Sequence, residues 1–512
     1  MLLQAETITL KIGGRALFQD ASFAIHPGER VGLVGDNGSG KSTLIQALLG
    51  EIELDRGRIV RRRGLVIGHV PQAVPAAIMP LTLHEALVQA LPEQARDDQA
   101  WRADMVLDEL GIEPEQWHQQ KVAELSGGWQ RLLLVARATL AEPDLLIFDE
   151  PTNHLDVGKV MRLERWLTEH LRLPFLLVSH DREFLDRVTD RTIILRGDRV
   201  RSYGASFSQA RQELIREDLA AMQQAERDEK EVERLERAAK RLMLWANLKG
   251  HSPGMAQRAK AVASRAEQRR AEATVAHREA RRDINLDTTE VQRATLIRIK
   301  DHVVRTETGR ELLRIEQEFV RRGDRIALLG LNGTGKSHLI RDLMAAITRA
   351  VAGDAPIGAS ITANPQLRSG YLDQHLSDLP RQMPVNRALQ AASTLRDAEL
   401  IRELHNVGIP IEKQATPIAN LSYGEQLRVT FLLLRLRQPN IYLLDEPTNH
   451  LDIAGRERLE DLLSRDDTTC VFVTHDRRTL RGIGTRYLEI RNRRLVEVEG
   501  PDDFLERAAA AA

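Results

Sequence analysis

The strongest constraint on this chain is that it contains itself twice. GDNGSGKST at 35–43 returns as GLNGTGKSH at 330–338, with Lys41 and Lys336 295 positions apart. LSGGWQ at 125–130 returns as LSYGEQ at 421–426, IFDEPTNHLD at 147–156 as LLDEPTNHLD at 443–452, and VSHD at 178–181 as VTHD at 473–476, all at offsets of 295 or 296. Intervening lengths this constant require two copies of one domain, and 512 residues are enough for both.

Each copy opens with an alternating segment, ETITL or LLRIEQEF, turns through HPGE or RRGD, and enters an apolar strand, VGLVG or RIALLG. A glycine-rich loop and a helix follow. LLIFDE and IYLLDE, like FLLVSH and CVFVTH, are short continuous apolar runs and predict buried parallel strands, so the fold class is α/β. Between the copies, 205–290 abandons this alternation for a polar, helix-forming stretch. Met222, Ala225, Val232, Leu235 and Leu242 fall at helical spacing; Gly250, Pro253 and Gly254 then interrupt before a second run at roughly 256–282. Two antiparallel helices with a turn at 248–255 are expected.

The net charge of −1 excludes a uniformly basic protein but hides a local excess. Residues 240–282 hold eleven Lys or Arg and three Glu, a formal +8. The single cysteine, Cys470, excludes an internal disulfide framework and, sitting in an apolar run, is expected to be a buried thiol in a reducing, cytoplasmic setting. No apolar run reaches 18 residues, and the N-terminus lacks a secretory pattern, so no membrane segment is expected.

The two loops carry phosphate chemistry. Gly35, Gly38 and Gly40 let the backbone turn around phosphate oxygens, with Asp36, Asn37, Ser39 and Thr43 completing the loop. Lys41 supplies a point charge near β and γ phosphates, and Ser42 a magnesium ligand. Gly330, Leu331, Asn332, Gly333, Thr334, Gly335, Lys336, Ser337 and His338 repeat the arrangement. Asp149 and Asp445 end apolar strands, where a carboxylate can hold hydrated Mg2+. The adjacent Glu150 and Glu446 can align water and accept its proton, and His180 and His475 can orient it. Gln72 and Gln374, between loop and signature, can contact magnesium or water.

Taken together these residues resemble the soluble ABC-F proteins of the ATP-binding cassette superfamily over nearly the whole chain. The resemblance implies two P-loop ATP-binding cassette domains, 1–204 and 291–512, joined by a long antiparallel helical linker, 205–290. It implies ATP and Mg2+ as cofactors, hydrolysis to ADP and phosphate, and internal dimerisation without an obligatory homo-oligomer. Each ATP would lie between one loop and the other half's signature, Lys41 with Ser422, Tyr423 and Gly424, and Lys336 with Ser126, Gly127 and Gly128. Tyr423 and His338 depart from the usual glycine and threonine and bring equal activity of the two sites into question, whereas Trp129 is an ordinary first-half variant.

In the family the linker enters the ribosomal exit-site region and touches peptidyl-site transfer RNA. This nominates Trp245, Lys249, His251, Arg258 and Lys260, with Arg241 a weaker candidate, for RNA contact. Only 53 positions separate Gln72 from Leu125, so little or no arm is inserted there. Alternatives are a ribosome-assembly or nucleic-acid-binding scaffold and, with less support, an ATP-binding subunit of a membrane transporter.

Overall fold

The structure is a computed structural model of the chain and describes all residues except 14, 111, 154, 198, 249–252, 273–294, 355, 357, 374–375, 377, 394, 449–450, 466–467 and 512. It divides into two compact units, Met1–Phe207 with Ile284–Ala512, and Ser208–Asp283.

In the first copy, β1 (Leu3–Ile12), β2 (Arg15–Ile25) and β4 (Arg56–Arg61) make an antiparallel sheet in the order β2-β1-β4. A second sheet has the order β5-β6-β7-β3-β8-β9: Ile67–Val70, Leu145–Asp149, Phe175–Val178, Arg30–Gly35, Arg191–Arg196 and Arg199–Tyr203. Its first five strands are parallel, and β9 returns antiparallel to β8. The apolar runs are continuous because both faces are covered. Leu145, Ile147, Leu176 and Val178 point into one core with β1, β2 and α1 (Lys41–Leu49). Leu146, Phe148, Phe175 and Leu177 point into the other, under α5 (Gly127–Leu140). Between β5 and α5 lie α2 (Leu83–Val88), α3 (Trp101–Glu109) and α4 (Pro114–Trp117).

The second copy fuses its sheets into one of nine strands, β13-β10-β11-β18-β17-β12-β16-β15-β14. These are Ile361–Ala363, Thr295–Arg305, Glu311–Arg321, Arg494–Val498, Arg486–Arg491, Arg325–Leu329, Cys470–Val473, Ile441–Asp445 and Ser369–Leu372. LLRIEQEF therefore forms the second strand of its copy, behind β10, and its repeat partner is β2 rather than ETITL in β1. Alternation identifies a half-buried strand without fixing its order in the sheet. Cys470 is buried on β16, and burial pushes its thiol up to about 12, which leaves it unreactive.

The copies meet through the segments that follow their Asp-Glu and histidine strand ends. In the first these are α6 (Val157–Arg165) and α7 (Arg182–Val188). Helix α8 (Phe207–Leu248) and helix α9 (Pro253–Glu272) intervene before the second copy's helix α10 (Lys336–Ala352), signature helix α11 (Tyr423–Arg437), α12 (Ile453–Leu463), α13 (Arg477–Ile483) and α14 (Asp502–Ala511). Val157 belongs to the core otherwise built by second-copy residues such as Leu459 and Phe504, and Ile453 to that of Leu163 and Phe184. Each such burial contributes about 2 kcal/mol. Around this exchange sits a reciprocal charge arrangement. Arg182 donates to both carboxylate oxygens of Glu460, and Arg477 stands 2.8 Å from Glu164, both arginines being only 1% exposed.

In the second unit the longer helix carries the buried Val232 and half-buried Leu235 and Leu242, while Met222 is exposed. Arg269 pairs with Asp228 and Arg270 with Glu236, each at 3.1 Å, bridging α8 to α9. The second helix starts at Pro253 rather than 256, since proline fits the first turn, where its missing N–H is not needed.

Removing one partner of a buried ion pair strands the other in low dielectric. Arg477→Ala should therefore cost about 3 kcal/mol, and Arg477→Met with Glu164→Gln should recover most of it. Denaturant titration of the full chain measures both, and a cost below about 1 kcal/mol for the single change would contradict the pairing.

Candidate functional site: paired phosphate loops

Both loops run from the carboxyl end of a central parallel strand into a helix, the place where open α/β sheets receive ligands. Gly40 and Gly335 cap α1 and α10 at φ 94° and 106°, a left-handed turn open to glycine. Neither helix has an acidic residue in its first turn, so the N–H groups and dipole face the loop as an anion-receiving end. Lys41 Nζ donates to Gly35 O at 2.8 Å and Asp36 O at 3.1 Å; Lys336 Nζ donates to Gly330 O at 2.6 Å and Leu331 O at 2.9 Å. Burial lowers both lysines' affinity for protons, against the pull of nearby carboxylates.

The strand ends supply the oxygen ligands. Burial raises both aspartates, and Ser42 beside Asp149 and Ser337 beside Asp445 act against it. Asp445 Oδ1 is buried without a hydrogen-bond partner among the described residues. A hydroxyl and a carboxylate of this kind, with one oxygen unspent, fit a small hard cation such as Mg2+.

Glu150 and Glu446 each adopt φ 51°, the left-handed region that costs a non-glycine residue about 1 kcal/mol or more. Their N–H groups are tied to Val178 O and Val473 O at 3.0 and 2.9 Å, and the strained turn aims both carboxylates at the histidines. His180 Nε2 is 3.3 Å from Glu150 Oε1, and His475 Nε2 3.2 Å from Glu446 Oε1. Burial pushes the Glu150 carboxyl up to about 7, against Lys41 and Arg456. Burial, with Lys41 and Arg456, holds His180 well below the ordinary histidine value, so the contact joins a neutral imidazole to a carboxyl that takes up a proton near neutrality.

An open cavity of about 700 Å³ lies beside the second loop, lined by Lys336, Ser337, His338, Glu446 and His475. From the first copy it receives Thr152, Asn153, Leu155, Val160 and Asp181, and among the described residues that line it there is no signature residue. The signatures stay with their own copies. Gly128 packs toward Lys159 and Leu155, Ser422 shares a capping box with Glu425, Tyr423 packs on the second-copy core, and Gly424 faces open space. Across the interface the first loop is met instead by Asp452, whose carboxylate accepts from Asn37 N–H at 3.0 Å. In this arrangement the positions beside the loops that the resemblance gives to the signatures are taken instead by Thr152, Asn153 and Leu155 at the second loop and by Asp452 at the first. Gln72 has an exposed side chain, and Gln374 lies outside the described residues.

Two further residues escaped motif reading. Arg131, on α5 and 4% exposed, donates to Pro71 O and Gln72 O, tying the segment after β5 to the signature helix. Arg456, where the first copy has Val160, donates to Asp476 at 2.8 Å and lines the cavity. Both break the repeat, since Leu427 stands opposite Arg131 in the aligned halves. Comparing the copies position by position would have exposed them. In the linker, Trp245 is 58% exposed and Arg241, Arg258 and Lys260 are exposed, while Lys249 and His251 lie outside the described residues.

A carboxyl raised from 4.5 to about 7 favours folding below its unfolded value, and that contribution is lost as pH climbs through 7. In buffer free of nucleotide and magnesium, the full chain should lose up to about 3 kcal/mol between pH 5 and pH 8 relative to Glu150→Gln. Parallel pH profiles for the two proteins in denaturant titrations would refute the assignment.

A family profile described as "ABC transporter" matches residues 18–153 and 317–449. The Escherichia coli K12 protein YheS is 30% identical over 530 residues, 96% of this chain and 79% of the relative. "ABC transporter F family member 2" of Arabidopsis thaliana is 25% identical over 559 residues, 99% of this chain and 79% of the relative. Among solved structures, "RNase-L Inhibitor" superposes with TM-score 0.63 at 19% identity, covering 99% of this chain and 93% of that one, a likeness of fold. Among the described residues, no helix is long and apolar enough to cross a membrane.

Proposed function

Because this chain belongs to the F family of ATP-binding cassette proteins, we propose that it is an ATPase whose two nucleotide sites open and close a clamp that docks on the ribosome. Residues 1–204 and 291–512 act as the cassettes, and 205–290 as the arm that contacts peptidyl-site transfer RNA near the exit site. The observation that carries this reading is the doubled constellation of loop lysine, Ser–Asp pair and strained glutamate 3.2–3.3 Å from histidine.

The chain's residues divide the work. Lys41 and Lys336 leave their own loop carbonyls to meet β and γ phosphates, as the helix N-termini receive the same charge. Ser42 with Asp149, and Ser337 with Asp445, would hold Mg2+, which would supply positive charge against the phosphates when bound. Glu150 and Glu446 accept the proton of the attacking water, and His180 and His475 hold that water in line. Closure then carries Ser126, Gly127 and Gly128 toward the second loop and Ser422, Tyr423 and Gly424 toward the first. Phosphate loss removes the contacts that favour the closed state.

Co-sedimentation tests the reading. With ATP, the Glu150→Gln, Glu446→Gln protein should pellet with ribosomes, whereas adding Lys41→Ala and Lys336→Ala should abolish pelleting. No enrichment of the glutamine variant, with ATP binding intact, would reject ribosome docking. For the arm, Arg258→Gln with Lys260→Gln should weaken association and lower its salt slope by about 1 per lost phosphate contact, with basal hydrolysis retained. An unchanged salt series would remove those two residues from the RNA surface.

A further inference from the structure

Outside both nucleotide sites, three chemically suited side chains meet in the helical segment that covers the first signature helix. His84 stands in the first turn of α2, Asp104 on α3, and His118 at the end of α4. His84 Nδ1 is 2.8 Å from Asp104 Oδ1, the two imidazole centroids are 4.4 Å apart, and one ligand atom from each of the three lies within 4.8 Å of the others. We propose that they form a site for one divalent late first-row transition ion of the zinc class.

The donor set selects the ion. Magnesium and calcium prefer all-oxygen shells, whereas two imidazoles and one carboxylate suit zinc, copper, nickel or ferrous iron. Three protein ligands with the fourth position left to water make an open site. The exposures agree: the His84 side chain is 18% exposed and Asp104 38%, so an ion can enter from solvent.

The backbone beneath the cluster is well fixed. Thr82 and Glu85 close a capping box at the start of α2, and Leu83 N–H donates to Gln120 O at 3.2 Å. The Trp117 indole N–H donates to Ile112 O at 2.7 Å, anchoring the residue before His118. Donor atoms around tetrahedral zinc are roughly 3.3 Å apart. The widest pair must therefore close by about 1.5 Å, within reach of a side-chain rotation by the exposed His118. An ion held here ties α2, α3 and α4 together over α5, which α2 and α3 both contact.

The test uses chelator-stripped full-length protein, with Co2+ and Zn2+ as probes in excess Mg2+ to occupy the oxygen sites. Wild type should take up one Co2+ with the visible absorption of a nitrogen-ligated, low-coordinate ion, Zn2+ should displace it, and Zn2+ should raise the thermal midpoint. His118→Ala and His84→Ala should each weaken uptake about tenfold or more and remove the Zn2+ shift, and Asp104→Asn should weaken it less. Should His84→Ala fail to fold, the exposed His118→Ala decides the matter alone. No Co2+ uptake by wild type in excess Mg2+, or equal uptake by wild type and His118→Ala, would overturn the site.

Discussion

Taking a guanidinium out of water costs several kcal/mol unless a carboxylate meets it. Arg182 and Arg477 are both all but completely buried, and each finds its carboxylate in the other copy. This requirement fixes how the two copies face each other. It also lies close in sequence to the chemistry: His180, Asp181 and Arg182 are consecutive, as are His475, Asp476 and Arg477. Asp181 and Asp476 cap the helices that carry the arginines, so each histidine stands one residue before the cap of the helix that bears the interface charge.

The pairing is two-fold, but its surroundings are not. Asp476 has Arg456 at 2.8 Å and Arg182 at 3.7 Å, whereas the nearest guanidinium to Asp181 is Arg477 at 3.8 Å. Asp476 is accordingly held low by Arg456 and Arg182 against its burial, while burial raises Asp181. At the signatures, Glu425 caps α11 with Ser422, while Trp129 in the same place leaves Ser126 without a side-chain capping bond. These differences stand beside Tyr423 and His338 as places where the two sites are not alike.

Repetition and apolar runs made much of the fold legible. Strand ends at Asp149 and Asp445, the loops before α1 and α10, and the α5 and α11 helices all follow from local pattern. Sheet order was not legible, since period says which face is buried and nothing about neighbours; LLRIEQEF is the instance. The left-handed turn at Glu150 and Glu446 leaves no local signature, because tertiary packing imposes it. Arg131 is marked in the sequence by its break with Leu427, but its role is not, because its partners are backbone carbonyls, which any sequence supplies. The motif residues could be named in advance, but the occupation of the interface by Asp452, Val157 and Ile453 could not, because it depends on how two surfaces meet.

Arg456 opposite Val160 has a consequence for how the two copies are supplied. In the aligned copies Arg182 corresponds to Arg477 and Glu164 to Glu460, so the ion pairs alone would be the same in a pairing of two first or two second copies. Neither self-pair would place one arginine and one valine across the axis. That combination needs one copy of each kind, and joining them in a single chain supplies the two in equal number.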